Sequence, residues 1–364
     1  MRIVSMHILF TLKDYQTGGG VECVQQRLAE QFLADGRRVS FYVMNGDSPD
    51  VDGAPSVAGG GSGLAGWLKS IVLLRRLIRR EGVTHLIGAK EQANLCTWFA
   101  TLGSTCKVIY SRHAALDCAE QNTGRASLRL LYALYLCGSG KVVAVSHGLR
   151  QSLAGLMPWG QPRIRYCPNA VITEQLLHAA QAPLPGGVPH HYWLGIGRLV
   201  HTKGFDLLLE AYAVAAQQRT LPYLVIAGDG PLRAELEAQA QRLGIERLVH
   251  FTGHLRNPYP LIRHAQLLVL SSLHEGLPTV LVEALALGTA VISTDCGSGP
   301  RELLDGGRLG RLVSVDDVPA LAEALLDSLA GREPATAARR SVSEAIQPYT
   351  SQYAAQAYYQ VWNR

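Results

Sequence analysis

Apolar positions along the chain follow two alternating rhythms. Short runs rich in Val, Ile and Leu predict buried strands at residues 2–9, 38–44, 85–87, 107–110, 141–145 and 164–166. Six more follow at 192–196, 223–227, 249–252, 267–270, 290–293 and 312–313. Between them, apolar residues recur three and four apart and predict helices, among them 21–33, 68–80, 205–217, 232–243 and 279–287. Strand and helix in strict alternation predict an α/β fold with parallel sheets flanked by helices, built twice over. A Pro/Gly segment without periodicity, Gln181-Ala182-Pro183-Leu184-Pro185-Gly186-Gly187-Val188-Pro189, marks the division. The expected domains are 1–180 and 188–344. A glycine-rich stretch at 51–63 is expected to be a mobile loop of the first domain. Periodicity alone leaves a last helix at 352–362 unplaced.

A length of 364 residues suits two cores rather than one. The seven cysteines are odd in number, scattered, and form no C-x-x-C pair, which argues against a disulfide framework or a zinc ribbon and for a reducing compartment. The apolar start runs into Lys13-Asp14 and a glycine cluster without a small-residue cleavage site, so it is expected to be a first strand rather than a signal peptide. The net charge of +5 is unevenly spread. Residues 1–185 carry 19 Lys and Arg against 12 Asp and Glu, a surplus of 7, and the remainder carries 15 against 17. The first half is thus expected to meet something anionic, such as a membrane surface.

The densest chemical pattern is Leu273-His274-Glu275-Gly276-Leu277-Pro278-Thr279-Val280-Leu281-Val282-Glu283-Ala284-Leu285-Ala286-Leu287-Gly288. Pro278 suits a first helical position, because its missing N–H would have no partner there, and Gly288 suits a left-handed C-cap. Glu275 and Gly276 then lie in a strand-to-helix loop, where free N–H groups favour an anion, and Glu283 lies inside the helix. Spacing alone is equally compatible with a helix that carries two solvated glutamates.

Two glutamates eight positions apart, with Gly-Leu-Pro after the first, resemble the signature of glycosyltransferase family 4. The resemblance extends in order along nearly the whole chain: Gly18-Gly19-Gly20-Val21-Glu22, Arg112-His113, Val145-Ser146, Pro168-Asn169-Ala170, Gly197-Arg198…Lys203-Gly204, Ala227-Gly228-Asp229-Gly230-Pro231, Phe251-Thr252-Gly253 and the segment 293–302. It implies the GT-B fold, two Rossmann-like domains facing across a cleft, with residues 345–364 crossing back to the first. It also implies a retaining hexosyltransferase of bacterial lipopolysaccharide or polysaccharide type, using a nucleotide-diphosphate sugar (UDP by preference) and a saccharide or lipid-linked acceptor. No cofactor, no metal and no nucleic acid is expected. The expected location is the cytoplasm, peripheral at the inner face of the cell membrane.

The resemblance assigns the donor diphosphate to Arg198 and Lys203, two cations able to neutralise the leaving group. It gives the ribose hydroxyls to Glu283 and the donor sugar to Glu275, with Gly276, Leu277, Pro278 and Thr279 lining the donor. Gly19 and Gly20, before the first helix, are candidates for phosphate contact, since glycine lets the backbone approach closely; they equally suit a plain tight turn. His113 is expected to face the donor sugar. The implied reaction is a same-face attack in which the leaving phosphate takes the acceptor proton, so no separate base is needed.

Other patterns carry less. Asp50-Val51-Asp52 has the D-x-D form of a metal-dependent transferase fold but sits in a Pro/Gly loop. Gly195-Ile196-Gly197 lacks the third glycine of a dinucleotide fingerprint, and His190-His191 has no partner at ligand spacing. The helix from Trp67 to Arg80 puts Trp67, Ile71, Leu74 and Ile78 on one face and Lys69, Arg76 and Arg80 on another, with Arg75 and Arg79 nearby. Two readings stay open, a solvated basic face or contact with anionic lipid. Two other functions share such an architecture: an epimerase or phosphorylase, against which Glu275, Glu283, Arg198 and Lys203 argue together, and a catalytically silent scaffold.

Overall fold

The computed structural model describes residues 6–15, 20–114, 116, 124–297, 299–331 and 339–363. The chain divides into two compact units, Met1–Val171 with Tyr349–Arg364, and Ile172–Pro348.

The first unit is built on β1 (His7–Tyr15), β2 (Arg38–Gly46), β3 (Ser56–Ala58), β4 (His85–Ala89), β5 (Lys107–Arg112), β6 (Lys141–Ala144) and β7 (Ile164–Tyr166). They pair in parallel in the order β3-β2-β1-β4-β5-β6-β7. Helices α1 (Gly20–Ala34), α2 (Gly63–Glu81), α3 (Glu91–Thr101), α4 (Arg125–Cys137) and α5 (His147–Leu156) link the strands. The second unit begins with α6 (Glu174–Ala179). Its six parallel strands are β8 (Tyr192–Ile196), β9 (Tyr223–Ala227), β10 (Val249–Gly253), β11 (Leu267–Leu270), β12 (Ala290–Thr294) and β13 (Arg311–Val313). Their order is β10-β9-β8-β11-β12-β13, and the helices α7 (Phe205–Ala216), α8 (Arg233–Arg242), α9 (Tyr259–His264), α10 (Thr279–Leu287), α11 (Gly299–Leu303), α12 (Val318–Leu329) and α13 (Arg339–Ile346) follow them in chain order. Runs such as His7-Ile8-Leu9-Phe10 and Leu267-Leu268-Val269-Leu270 are buried at every residue, because both faces of a parallel sheet are covered by helices.

In both sheets the order reverses at one point, between β1 and β4 and between β8 and β11. At such a point the loops leaving two adjacent strands run to opposite faces, and a crevice opens at their carboxyl ends.

The structure departs from the sequence reading in several places. The first strand continues to Tyr15, since Phe10 and Leu12 are core residues and β1 pairs with β2 as far as Gly46. The glycine-rich stretch holds an edge strand, β3, with Val51 and Ala54 buried beneath it. Gly59 N–H donates to the Val43 carbonyl at 2.7 Å, and a Cβ on Gly59 would lie 2.6 Å from Met44 Cα, so glycine here permits pairing rather than looseness. The division falls at Val171/Ile172 rather than in the Pro/Gly segment. The helix α6 docks on the second unit, where Asn257 Nδ2 donates to the Ala179 carbonyl at 2.8 Å.

The final helix, α14 (Ser351–Asn363), belongs to the first unit. Its Tyr358 and Trp362 rings lie 6.4 Å and 5.8 Å from Phe32 of α1. Lys107 Nζ donates to the Trp362 carbonyl at 3.0 Å and Lys141 Nζ to that of Val361, so two cations meet the carbonyls at the helix end, where its dipole is negative.

Candidate functional site

In the second unit the loops leaving β8 and β11 are stitched together. Leu273 N–H donates to the Thr202 carbonyl at 2.9 Å, and Ser271 Oγ donates to the Lys203 carbonyl at 3.0 Å. Gly204 makes this possible: its φ is 59°, and a Cβ there would lie 2.2 Å from the Ser271 carbonyl oxygen. The next loop packs as closely. Gly228 has φ 136°, and a Cβ would lie 1.9 Å from the Gly197 carbonyl oxygen.

This stitching brings Lys203 to Glu275. Lys203 Nζ donates to Glu275 Oε1 at 2.5 Å, and Ser272 Oγ donates to the same oxygen at 2.7 Å. Both charges are mostly sheltered from solvent, and the Lys203 stem passes about 3.5 Å from where a Cβ of Gly197 would stand. Arg198 is exposed on the same β8 loop. The helix α10 (Thr279–Leu287) starts directly after this loop with the predicted bounds, and Pro278 is its cap rather than its first helical residue. Gly288 closes it in the left-handed conformation (φ 80°), as expected of its C-cap. Gly276, Leu277 and Pro278 are buried, and so is Glu283 one turn into the helix. Gly299 presses on them from α11 (Gly299–Leu303), where a Cβ would lie 2.8 Å from the Gly276 carbonyl oxygen. A cation, an anion and a helix N-terminus thus meet at the carboxyl ends of β8 and β11, where the sheet order reverses. Such a place suits an anionic group carrying hydroxyls.

Two neighbours were not singled out by sequence. Ser272 holds Glu275 in place; a Ser-Ser pair closing an apolar strand was the available signal. Cys296 lies beside the same loop, and burial first, then the Glu275 charge, pushes its thiol up to about 12, so it is an inert neutral packing group.

In the first unit Gly20 opens α1, and Gly19 lies outside the described residues. His113 follows β5 and is held by its own unit. Ser111 Oγ donates to the Gly88 carbonyl at 2.8 Å and lies 3.0 Å from His113 Nε2, and the Gln25 side-chain amide lies 3.3 Å from the same ring nitrogen. Burial pushes the imidazole down to about 4, and the Lys90 and Arg112 charges act in the same direction. Arg112 itself is a buried core residue, paired with Glu91 and donating from Nε to the Ala114 carbonyl at 2.7 Å. Lys90 was missed by sequence. It stands at the sheet reversal between β1 and β4 with φ 70° and ψ 151°, a backbone region that costs a non-glycine residue about 1–3 kcal/mol. Its amine donates to Glu22 Oε1 at 2.5 Å and Asp14 Oδ1 at 3.1 Å. Burial lowers its pKa, but these carboxylates outweigh burial and the net direction is up. Asp50 and Asp52 are exposed between β2 and β3, on either side of the buried Val51.

His113 should stay neutral through the physiological range. Its folded pKa lies below the unfolded value of about 6.5, so the unfolded chain binds the proton first. Stability gained from the neutral ring is present above pH 6.5 and is lost as pH falls from there towards 4. The His113 ring proton resonance should therefore not move between pH 8 and 5.5. A titration centred near 6.5 would contradict this burial.

Two family models match the chain in sequence order. The model described as Glycosyltransferase Family 4 matches residues 18–175, and that described as Glycosyl transferases group 1 matches residues 190–330. A Campylobacter jejuni protein named GalNAc-alpha-(1->4)-GalNAc-alpha-(1->3)-diNAcBac-PP-undecaprenol alpha-1,4-N-acetyl-D-galactosaminyltransferase is 42% identical over 133 residues, 36% of either chain. A Rhizobium meliloti lipopolysaccharide core biosynthesis glycosyltransferase, LpsE, is 31% identical over 193 residues, 52% of this chain and 54% of that one. The chain thus spans about a third to a half of the length of these curated relatives. Among solved structures, Anabaena HepE in complex with UDP superposes with a TM-score of 0.76 at 20% identity, covering 98% of this chain and 99% of that one. At that identity the superposition speaks for the fold, two units each with a doubly wound parallel sheet. With both family models matched in order along one chain of this fold, the protein belongs to the family 4 glycosyltransferases, of GT-B type.

Proposed function

We propose that the protein is a retaining hexosyltransferase that moves a sugar from a nucleotide-diphosphate donor, UDP-linked by preference, to a saccharide or lipid-linked saccharide in lipopolysaccharide or polysaccharide synthesis. The observation that carries the reading is the Lys203–Glu275 contact at the carboxyl ends of β8 and β11, beside the start of α10. Solved structures with this fold hold UDP and UDP-glucose, and the Campylobacter relative is named for an undecaprenol-diphosphate-linked acceptor. Both facts support the substrate classes named here.

In this reading the donor diphosphate shares Lys203 with Glu275 and takes Arg198 as a second cation. The sugar's C1–O bond to the β-phosphate breaks as the acceptor hydroxyl oxygen bonds to C1 on the same face. The hydroxyl proton passes to the leaving phosphate oxygen, so the products are the glycoside and the nucleoside diphosphate. Charge growing on that diphosphate is met by Arg198, Lys203 and the N–H groups at the start of α10, preorganised donors of the kind that lower such barriers. Glu275 accepts from the donor sugar's hydroxyls, next to the buried Gly276-Leu277-Pro278 wall, and Glu283 accepts from the ribose diol. Gly20 allows backbone approach to the phosphates, as Gly19 does by position in the sequence. Neutral His113 contacts the donor sugar. The chemistry needs no cofactor, and two cations stand where another transferase class uses a metal ion. The protein works on the cytoplasmic side of the cell membrane, at its surface.

A panel of nucleotide sugars tests this by thermal shift. A true donor at ~100 times its dissociation constant adds ~2.7 kcal/mol of stability; no shift with any of them would contradict the reading. Arg198→Ala and Lys203→Ala should each slow turnover ~10²–10³-fold and weaken nucleoside-diphosphate binding in calorimetry. Glu275→Ala should abolish transfer and leave that binding nearly intact; near-normal turnover in this variant would remove Glu275 from its role. Activity should persist in EDTA, and a requirement restored by Mn²⁺ would return Asp50 and Asp52 to consideration.

A further inference from the structure

The helices α2, α3 and α4 lie side by side on one face of the first sheet. Trp67 of α2 meets Phe99 of α3 edge-on at 5.7 Å, and Tyr135 of α4 donates to the Glu91 carbonyl of α3 at 3.1 Å. All three follow strands that step the same way along the sheet, which puts them on a common face, and α5 with the turn Pro158–Arg163 continues that series. The α2 residues expected to be its apolar face do turn inward: Leu74 and Ile78 are buried, and Trp67 and Ile71 partly so.

A second apolar stripe on α2 is exposed among the described residues. Leu64, Leu68 and Val72 recur every four residues and are 75%, 52% and 49% exposed. Leu102 of α3, Leu130 of α4 and Trp159 of the following turn are also exposed, the last two at 66% and 58%. With Phe99 they make seven of the twelve exposed large hydrophobic side chains among the described residues, all on this one helical layer. Leu130 and Trp159 border a shallow hollow of about 450 Å³ with Arg129 in its wall.

The charge on this layer is as one-sided. Helices α2 to α5 and the 158–163 turn carry nine Lys and Arg (Lys69, Arg75, Arg76, Arg79, Arg80, Arg125, Arg129, Arg150 and Arg163) against Glu81 and Glu91. That surplus of seven equals the whole surplus of residues 1–185. Glu81 is tied to Arg38 and Arg80, and Glu91 to Arg112. Eight of the nine cations are exposed.

We infer that this layer is a membrane-docking face, which lies on an anionic lipid surface and inserts Leu64, Leu68 and Val72 among the acyl chains. Basic groups in excess over acidic ones, around scattered large apolar side chains, match lipid headgroups over hydrocarbon. A second copy of the chain is a poor occupant, since a two-fold contact would set the same positive face against itself. No helix among the described residues is long and apolar enough to cross a membrane, so contact through this layer would be at the surface. The inference rests on the lipid-linked acceptor proposed above and adds which residues enter the bilayer.

Co-sedimentation of the full chain with phosphatidylglycerol/phosphatidylcholine vesicles tests it. Wild-type protein should bind these at low salt and bind pure phosphatidylcholine weakly. Reversing Arg75, Arg76, Arg79 and Arg80 to glutamate should weaken binding roughly a thousandfold, at about fivefold per basic residue. Leu64→Ser, Leu68→Ser and Val72→Ser together should weaken it at least about tenfold and leave a remnant that high salt removes. Unchanged thermal stabilisation by the donor would show the variants folded. Equal binding by the leucine–valine variant and wild type would overturn insertion, and so would self-association lost in that variant without any vesicle binding. Wild-type protein that ignores anionic vesicles yet transfers sugar to a lipid-linked acceptor in detergent would remove the docking face and leave the proposed function standing.

Discussion

The site depends on one topological constraint, the reversal of strand order between β8 and β11. Two adjacent parallel strands send their chains to opposite faces of the sheet, so the peptide groups at their carboxyl ends are left without a covering helix between them. The loops can close that gap only by lying against each other, and glycine is what lets them. Gly204 and Gly228 both approach a neighbouring carbonyl oxygen more closely than a Cβ allows, and both do so at positive φ. Lys203 and Glu275 are 72 residues apart in sequence, yet their contact follows from this backbone packing rather than from attraction between them. The same ordering recurs in the first unit, where the reversal between β1 and β4 holds the strained Lys90.

The two reversal points differ in their electrostatics. In the second unit one lysine faces one carboxylate, and Arg198 on the same loop adds a further positive charge. In the first unit one lysine faces two carboxylates, Asp14 and Glu22, and the nearby imidazole of His113 is kept neutral by burial. An incoming dianion is therefore favoured at the second unit's point, and a polyhydroxyl group that donates to carboxylates is better matched at the first.

Most of the fold was legible because buried parallel strands are written as unbroken apolar runs. Tyr192–Ile196, Tyr223–Ala227 and Leu267–Leu270 have the limits the pattern predicts. The edge strand Ser56–Ala58 was not legible, since its pairing depends on glycines and on half-covered residues that carry no period. Of the site, Glu275, Glu283, Arg198 and Lys203 stood out by motif, and the motif also implied the return of the last helix. Ser272 and Lys90 did not, because their roles come from hydrogen bonds across 3 and 68 residues that no spacing rule encodes. The exposed stripe of Leu64, Leu68 and Val72 was hidden for another reason. A helix with apolar residues on two faces looks in sequence like one broad buried face, and only packing against α3 shows which of them is covered.

In the proposed function the reversal between β8 and β11 receives the donor's diphosphate. Hydrogen exchange of the full chain, with and without UDP, tests it most directly, because it reports location without requiring turnover. UDP should slow exchange in residues 197–204 and 271–283 and leave the docking helices of the first unit unchanged. Protection confined to any other part of the chain, or none at saturating UDP, would contradict it.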